Sequence, residues 1–268
     1  MNPAKSRDPL PTARAWPWQL RQRSQRAELL DAEQLPVVAL HRNLKELAAV
    51  NRLLGGYGPT LQGLSRLMPT ATNPQGLPWQ ILDVGCGGGD TLAQVHAWAQ
   101  STGRQVELTG VDLLPECIAF ARNAYGHLPI RWQVQDYSQL TFAQKAAQNT
   151  AQNASENPPS PPPDLVISAL FCHHLPPAQL LHFLRWTARV ARQGFVINDL
   201  HRHPLAYYGI DLISRWPGCS QLFQNDARLS VWRGYRREDW ERILAAADVV
   251  AQIHWAWAFR WLLVGYCA

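Results

Sequence analysis

A short glycine-rich stretch, ILDVGCGGGD at residues 81–90, constrains the fold of this chain more than any other feature. Strand-forming residues run into a glycine-rich turn, and the residues that follow have the pattern of a helix. Glycine lets the backbone come close to a ligand, and the start of a helix offers unpaired N–H donors. The stretch therefore predicts a strand, turn and helix that together face a ligand.

Strand and helix patterns alternate after this unit. The predicted strands are WQILDV, VELTGVD, IRWQVQ, DLVISAL and GFVINDL, and helices are predicted near 91–100, 115–125, 178–191 and at REDWERILAAA. This rhythm is typical of a parallel sheet with helices on both faces. The last segment, VVAQIHWAWAFRWLLVGYCA, predicts an antiparallel hairpin whose turn, near 259–260, lacks Asn-Gly chemistry. We therefore expect an α/β, Rossmann-like fold with a C-terminal antiparallel hairpin.

Composition and patterning divide the chain into three parts. Residues 1–30 read as a basic flexible arm, residues 31–78 as an N-terminal helical cap, and residues 79–268 as the main domain. The cap contains one predicted helix, which the Gly55-Gly56 pair stops. The main domain carries a polar, partly disordered insertion at 141–163 and an aromatic, basic insertion at 201–234. The second insertion is placed to build a substrate pocket over the carboxyl edge of the sheet.

The composition is that of an ordinary globular protein. The chain has 268 residues, of which 47% are hydrophobic and 17% charged, enough for one large α/β domain. No apolar run reaches the roughly 18 to 20 residues of a membrane span, and no signal peptide is recognisable, so we expect a cytoplasmic protein. Five scattered cysteines without a C-x-x-C pair argue against a structural zinc site or a disulfide framework, and we expect no metal.

The net charge of +5 does not point to nucleic acid. Six basic and two acidic side chains among residues 1–30 account for +4 of it, which leaves the rest of the chain near neutral. A basic tail of this kind is more often a solvated arm than a specific binding patch. We therefore regard a nucleic-acid partner as unlikely.

The glycine-rich turn fits one ligand class better than two others. A phosphate-binding Walker loop needs a lysine where Asp90 stands, and a dinucleotide-binding loop needs its third glycine at the same position. A carboxylate there would repel a pyrophosphate. The acid at Asp83 followed by Gly85, Gly87 and Gly89 instead resembles motif I of the class I S-adenosylmethionine-dependent methyltransferases. That cofactor carries a sulfonium and an ammonium, which a nearby carboxylate favours.

Two further acids follow the second and third predicted strands. Asp112 is placed to accept the ribose hydroxyls, and the resemblance, which covers residues 79–200, implies that Asp136 accepts from the adenine amine. Ser168 and Ala169 would border the methionine end of the cofactor. The resemblance thus implies S-adenosylmethionine contacts by Asp83, Gly85, Cys86, Gly87, Gly89, Asp112, Leu113, Asp136, Tyr137, Ser168 and Ala169.

Histidines supply the candidates for chemistry. The sequence SALFCHHL is similar to the end of the fourth strand in ubiquinone and menaquinone methyltransferases. A hydroxyl nucleophile benefits from a general base, for which His173, His174, His201 and His203 are candidates. For each pair, a helix cap or a polar loop is an equally good interpretation. Candidate substrate contacts are Arg52, Asp199, Tyr207 and Tyr208.

Three functions stay open at this point. The first is a methyltransferase acting on a small-molecule acceptor, on the oxygen of a hydroxylated or phenolic metabolite. The second is a macromolecular methyltransferase that uses the basic arm to hold RNA or protein. The third is a protein that binds S-adenosylmethionine without catalysis. The identity of the acceptor, transfer to oxygen against carbon or nitrogen, and the oligomeric state are not predicted.

Overall fold

A computed structural model describes residues 18–31, 35–142 and 161–267. Most of the predicted insertion at 141–163, and the first 17 residues of the predicted arm, lie outside these residues. A seven-stranded sheet forms the centre, in the order β3-β2-β1-β4-β5-β7-β6. The strands are β1 Trp79–Val84, β2 Val106–Asp112, β3 Ile130–Val134, β4 Leu165–Ala169, β5 Gly194–Leu200, β6 Ala251–Ala256 and β7 Arg260–Tyr266.

Eight α-helices accompany the sheet in the described part of the chain. They are α1 Val37–Leu53, α2 Gly58–Leu67, α3 Asp90–Ser101, α4 Pro115–Tyr125, α5 Pro177–Val190, α6 Pro204–Ser214, α7 Gln221–Arg233 and α8 Arg237–Ala247. None of them combines the length and the apolar character that crossing a membrane requires. The bounds of α4 and α8 agree with the sequence prediction to the residue.

The first five strands are parallel, and their order places the functional edge. β1 pairs with β2 on one side and with β4 on the other. The strands β2 and β3 thus extend the sheet on one side of β1, and β4 and β5 extend it on the other side, so that the strand order reverses at β1. Ligands of open α/β sheets bind outside the carboxyl ends of the strands at such a switch point. The ends of β1, β2, β4 and β5 therefore define the edge at which a ligand is expected.

Apolar side chains cover both faces of the sheet because the central strands are buried on both sides. On one face, Phe183 and Leu184 of α5 pack with Trp240 and Leu244 of α8. On the other face, residues of α2, α3 and α4 pack against the opposite side chains of the same strands. The expected fold, a Rossmann-like sheet with helices on both faces, is confirmed.

The antiparallel C-terminal hairpin is also confirmed, with a shifted turn. β7 runs antiparallel to both β5 and β6 and separates them. The turn occupies residues 257–259, and Arg260 already belongs to the strand. Phe259 has φ 53° and therefore lies in the left-handed region. A three-residue loop that ends in this residue replaces the two-residue turn expected near 259–260.

The N-terminal region differs from the prediction in two places. The predicted cap contains a second helix, α2, which packs on β5 and β7. Residues 18–31 are not a free arm, because Leu20 is fully buried and the Arg23 guanidinium donates to the carbonyls of His173 and Leu175. A basic composition alone does not reveal such contacts, since their partners lie about 150 residues away. The prediction of a flexible arm is wrong for this segment.

Candidate functional site

The glycine-rich turn lies at the carboxyl end of β1. The backbone N–H groups of Gly85 and Cys86 donate to Val111 O of β2, which anchors the turn to the neighbouring strand. Gly87 has φ 52°, and an added Cβ there would meet nothing within 4 Å. An L-residue rarely adopts this backbone conformation. Gly87 is therefore the glycine at which the backbone stands open to a ligand.

The other two glycines of the motif are needed for packing. An added Cβ on Gly85 would lie 2.3 Å from the Phe171 ring, and one on Gly89 would lie 2.5 Å from Trp132. The Cys86 side chain is buried, so it contributes only its backbone to the open face of the turn. Gly85 and Gly89 are thus required by close packing around the turn, whereas Gly87 leaves the backbone of the turn accessible to a ligand.

Asp83 is the most unusual group beside this turn. Its side chain is 1% exposed, and neither carboxylate oxygen has a hydrogen-bond partner within the described residues. Burial, together with the nearby Asp90 and Asp112, raises the pKa of Asp83 well above its ordinary value. A buried carboxylate without partners is costly, and a cationic ligand would remove the cost. The cationic cofactor expected from the sequence fits this position.

Asp112 at the end of β2 organises the same turn. Gly87 N donates to its Oδ2 at 2.9 Å, and Leu114 N donates to its Oδ1 at 3.0 Å. Burial nevertheless raises the pKa of Asp112. Leu113, next to it, is 62% exposed and offers an apolar surface beside the acid. This combination of carboxylate and apolar surface fits the ribose and base of the predicted cofactor.

The remaining predicted cofactor residues are held by local contacts. Asp136 accepts from both the backbone N–H and the hydroxyl of Ser138, and it begins a short 3-10 helix. Tyr137 packs edge-on against Phe183 and Trp186. Ser168 is buried and donates to Val84 O at 3.0 Å, so its hydroxyl ties β4 to β1, and the partly exposed Ala169 follows it. Cofactor contacts by these residues stay predictions.

A cavity of about 260 Å³ lies between α1, α6 and α7 and the carboxyl ends of β4 and β5. We call it the acceptor cavity. Its walls are mostly apolar, and α6 and α7 come from the insertion predicted to build a pocket. The polar side chains in its walls belong to Glu28, Asn43, Asn51, His173, His174, Asp226, Ser230 and Arg260.

A histidine and an aspartate are paired in this wall. His173 Nδ1 lies 2.7 Å from Asp199 Oδ1, and the His173 backbone N–H donates to Asp199 Oδ2. Burial by itself would raise the pKa of Asp199, but the contact with His173 outweighs it and lowers the pKa below its ordinary value. The pair therefore fixes His173 Nδ1 as the donor and leaves Nε2 on the other side of the ring.

Glu28 faces that other side. Its carboxylate oxygens lie 3.7 Å from His173 Nε2 and 3.9 Å from His174 Nε2. The ligand atoms of these three residues lie within 4.8 Å of one another, a spacing that a divalent ion could bridge. Arg233 Nε, 3.9 Å from Glu28, already supplies positive charge at this point. The cysteine spacing, from which we expect no metal, carries no information about the cluster of Glu28, His173 and His174.

The other two histidines lie outside the acceptor cavity. His203 Nδ1 accepts from Leu205 N, which caps α6, and the ring stacks on Phe259. Burial lowers the pKa of His201 to about 4, helped by His203 and two arginines. A base with this pKa is poorly matched to neutral pH. The geometry favours His173 and His174 over this pair.

Among the predicted substrate contacts, only Asp199 reaches the acceptor cavity, and it does so through His173. Arg52 is exposed on α1 and does not belong to the cavity wall, whereas its neighbour Asn51 does. Tyr207 is buried against Tyr208 on the opposite side of α6 from the cavity residues. Substrate contacts by Arg52, Tyr207 and Tyr208 stay predictions that this arrangement does not support.

Sequence reasoning missed Glu28 and Arg260. Glu28 was counted only as an acid within a basic arm. Arg260 was assigned to the hairpin turn, yet its side chain is 5% exposed and lines the acceptor cavity. One signal was present in each case: an acid among basic residues, and a lone arginine within an apolar strand.

Residues 81–194 match the family model of a methyltransferase domain. The match begins in β1, covers the glycine-rich turn, Asp112 and Asp136, and ends at the start of β5. No sequence among curated proteins matches the chain.

Several solved methyltransferases have the same fold. A SAM-dependent methyltransferase from Aquifex aeolicus is 15% identical, with a TM-score of 0.56 over 88% of this chain and 100% of that chain. The plantazolicin methyltransferase BpumL, solved with SAH, is 15% identical, with a TM-score of 0.52 over 82% and 79%. Human N-acetylserotonin methyltransferase, solved with SAM, is 18% identical, with a TM-score of 0.51 over 87% and 57%.

Proposed function

We propose that this chain, which carries a class I S-adenosylmethionine-dependent methyltransferase domain, methylates an oxygen of a small hydroxylated or phenolic acceptor in the acceptor cavity. The observation that carries this proposal is His173, which lines a mostly apolar cavity and is paired with Asp199. An apolar cavity with a few convergent polar groups is the usual form of a small-molecule site.

His173 acts as the general base. Asp199 holds Nδ1 as a donor at 2.7 Å, so Nε2 is the ring nitrogen placed to accept a proton from the acceptor hydroxyl. Asp199 and Glu28 then stabilise the imidazolium that forms, because both carboxylates lie beside the ring. His174 lies next to it and shares Glu28.

The bound cofactor supplies an electrophilic methyl group on a sulfonium. The chain itself positions the acceptor oxygen and removes its proton, and the mostly apolar walls limit the water around the reacting groups. The acceptor would lose an O–H bond and gain an O–CH₃ bond in exchange for the S–CH₃ bond of the sulfonium, which would leave as a neutral thioether, and the proton would go to His173 Nε2. No covalent enzyme intermediate is needed.

The resemblance of SALFCHHL to quinone methyltransferases supports a phenolic ring as the acceptor. The macromolecular alternative loses support from residues 18–31, since Arg23 of this basic segment is engaged by backbone carbonyls of the chain. The second insertion lines the acceptor cavity with α6 and α7, and the volume of about 260 Å³ favours a small molecule over a polymer.

The test has two steps. Purified protein and S-adenosylmethionine are added to the small-molecule fraction of a cell extract, and mass spectrometry identifies metabolites that gain the mass of one CH₂ group. Single-turnover rates on that acceptor are then measured for His173→Gln and, as the matched control, His201→Gln. We expect a fall of about 10² to 10⁴-fold for His173→Gln only. Equal rates in both variants, or transfer to a nitrogen or carbon atom, would contradict the proposal.

A further inference from the structure

We propose that Arg260 binds a carboxylate of the methyl acceptor, so that the acceptor is an apolar or aromatic acid with a separate hydroxyl group. This inference rests on the proposed function and names the substrate class of the same cavity. The supporting observation is that Arg260 is buried in the cavity wall and that one nitrogen of its guanidinium has no hydrogen-bond partner among the described residues.

Arg260 is the first residue of β7 and pairs with Leu200 at the end of β5. Its side chain is 5% exposed, and Nη2 donates to Asn51 Oδ1 at 2.7 Å. Nη1 is buried and has no hydrogen-bond partner among the described residues. A buried charged donor that lacks a partner is costly, and an oxygen ligand would satisfy it.

No carboxylate within the described residues forms a salt bridge with Arg260. Burial lowers the pKa of Arg260 to about 10, and Asp199, Tyr57 and Asp90 offset this only in part. The guanidinium therefore keeps its charge at neutral pH. Asp199, the carboxylate of the adjacent strand, is engaged by His173 instead. An anionic ligand in the cavity would balance this charge.

The backbone is shaped around the guanidinium. An added Cβ on Gly56 would lie 2.8 Å from Arg260 Nη2 and 2.8 Å from Asn51 Oδ1. The carbonyl of Gly56 is itself fixed by Asn198, whose Nδ2 donates to it at 2.9 Å. The turn between α1 and α2 thus leaves room for a positively charged group at this point of the wall.

The chemistry of the wall selects a carboxylate. Arginine presents a planar set of donors that matches the two oxygens of a carboxylate. The walls beside it are apolar, with Phe259, Ile210 and Leu200 among them, and suit the hydrocarbon body of an aromatic acid. His173 lies in the same wall as the base for a hydroxyl. The two polar groups would hold the two ends of one acceptor.

A carboxylate could also come from the methionine part of the cofactor. The two sources are distinguished by calorimetry on the full chain. Hydroxybenzoates and hydroxycinnamates, each beside its neutral methyl ester, are titrated into protein saturated with S-adenosylhomocysteine. S-adenosylhomocysteine itself is titrated into the free protein. The variants are Arg260→Gln, Arg260→Lys and the control Arg66→Gln, which removes an exposed arginine of α2.

We expect the wild type to bind at least one acid about tenfold more tightly than its ester. Arg260→Gln abolishes this preference, Arg260→Lys keeps part of it, and Arg66→Gln keeps all of it. S-adenosylhomocysteine binds all four proteins within about threefold.

Two results would overturn the inference. One is that the wild type binds no acid, or binds acids no better than esters. The other is that Arg260→Gln weakens S-adenosylhomocysteine by the same factor as the acid, which would assign Arg260 to the cofactor. Acid binding through Arg260 without any methyl transfer would instead refute the proposed function and leave the binding site intact. Because the wild-type comparison needs no variant, poor folding of Arg260→Gln would not obscure the outcome.

Discussion

The cofactor side of the site and the acceptor cavity lie at the same edge of the sheet. The residues of the cofactor side come from consecutive strands, whereas the residues of the acceptor cavity are far apart in the sequence. The cofactor side consists of the glycine-rich turn with Asp83, followed by Asp112 and Asp136, each within two residues of the carboxyl end of its own strand. The acceptor cavity combines Glu28 and Asn51 with His173 and Arg260. Consecutive strand ends are fixed by topology, whereas the cavity depends on contacts between distant segments.

The charges of the two regions also differ. On the cofactor side, carboxylates dominate, and Asp83 has no partner within the described residues. In the acceptor cavity, the carboxylate of Glu28 lies beside histidine and arginine, and the cation Arg260 has a buried Nη1 without a hydrogen-bond partner among the described residues. One region is thus prepared for a positive ligand and the other for a negative one.

The largest expected effect lies in the acceptor cavity, for Asp199→Asn. When the oxygen of the new amide accepts from the His173 backbone N–H, its NH₂ group faces His173 Nδ1 and donates to it, which moves the ring proton to Nε2 and removes the base. We expect the single-turnover rate to fall by about 10² to 10⁴-fold. Affinity for S-adenosylhomocysteine serves as the control and should not change, since Asp199 does not belong to the cofactor side. A rate within about threefold of the wild type would show that His173 is not the base.

The second effect lies on the cofactor side, for Asp83→Asn. Loss of this buried carboxylate should weaken S-adenosylmethionine by about 2 kcal/mol, or roughly 30-fold, while binding of the neutral thioether S-adenosylhomocysteine weakens less. Calorimetry with both ligands measures the difference. Equal losses for the two would mean that Asp83 does not sense the sulfonium.

Asp83→Asn also tests how the stability of the fold depends on pH. The pKa of Asp83 in the fold lies well above its ordinary value, so ionisation disfavours the folded state. The ligand-free wild type should therefore lose stability relative to Asp83→Asn as the pH rises from the ordinary carboxyl pKa through the raised one. Urea unfolding at about pH 4 and about pH 7.5 compares the two proteins. A difference that does not grow with pH would be inconsistent with an unpaired buried carboxylate.

A smaller effect is expected for Gly56→Ala, which tests how the acceptor cavity holds Arg260. The new methyl group would crowd Arg260 Nη2 and Asn51 Oδ1 at 2.8 Å each. We expect the preference for acids over their esters to fall by about 1 kcal/mol, roughly fivefold. The melting temperature reports any general destabilisation. An unchanged preference would show that the guanidinium is not held by this turn.

The smallest effect is expected for Arg52→Gln. This arginine was a candidate substrate contact, but it is exposed and lies outside the cavity wall. A change of less than about twofold in kcat/KM is expected, because isolated exposed charges contribute little. A tenfold loss would restore Arg52 as a substrate contact and would weaken the assignment to Arg260.

The sequence allowed the strands, α4, α8 and the acids after β1, β2 and β3 to be predicted, because these features depend on local patterns. The helix α2 was not predicted, because the Gly55-Gly56 pair was interpreted as the end of the helical cap, and α2 begins only two residues after it. Gly63 is in fact the point at which α2 approaches the sheet, where an added Cβ would lie 2.5 Å from Val196. A close approach to another element leaves no periodic signal in the segment itself.

The candidate site divides in the same way. The pairing of His173 with Asp199 joins the ends of two adjacent strands, so both residues could be named from the sequence although their contact could not. Glu28 and Arg260 could not be assigned, because their roles depend on packing across more than 140 residues. The sequence alone does not show that Arg52 is exposed and Arg260 buried, and this difference in burial decides which of the two lines the cavity.

The position of β7 between β5 and β6 has a consequence for biosynthesis. All strands of the cofactor side precede residue 200, whereas the arginine of the acceptor cavity arrives with β7, which is the last strand of the described chain to emerge from the ribosome. The growing polypeptide can therefore complete its methyl-donor site while the opposite wall is still missing. The wall that carries Arg260 is completed only when β7 inserts between β5 and β6.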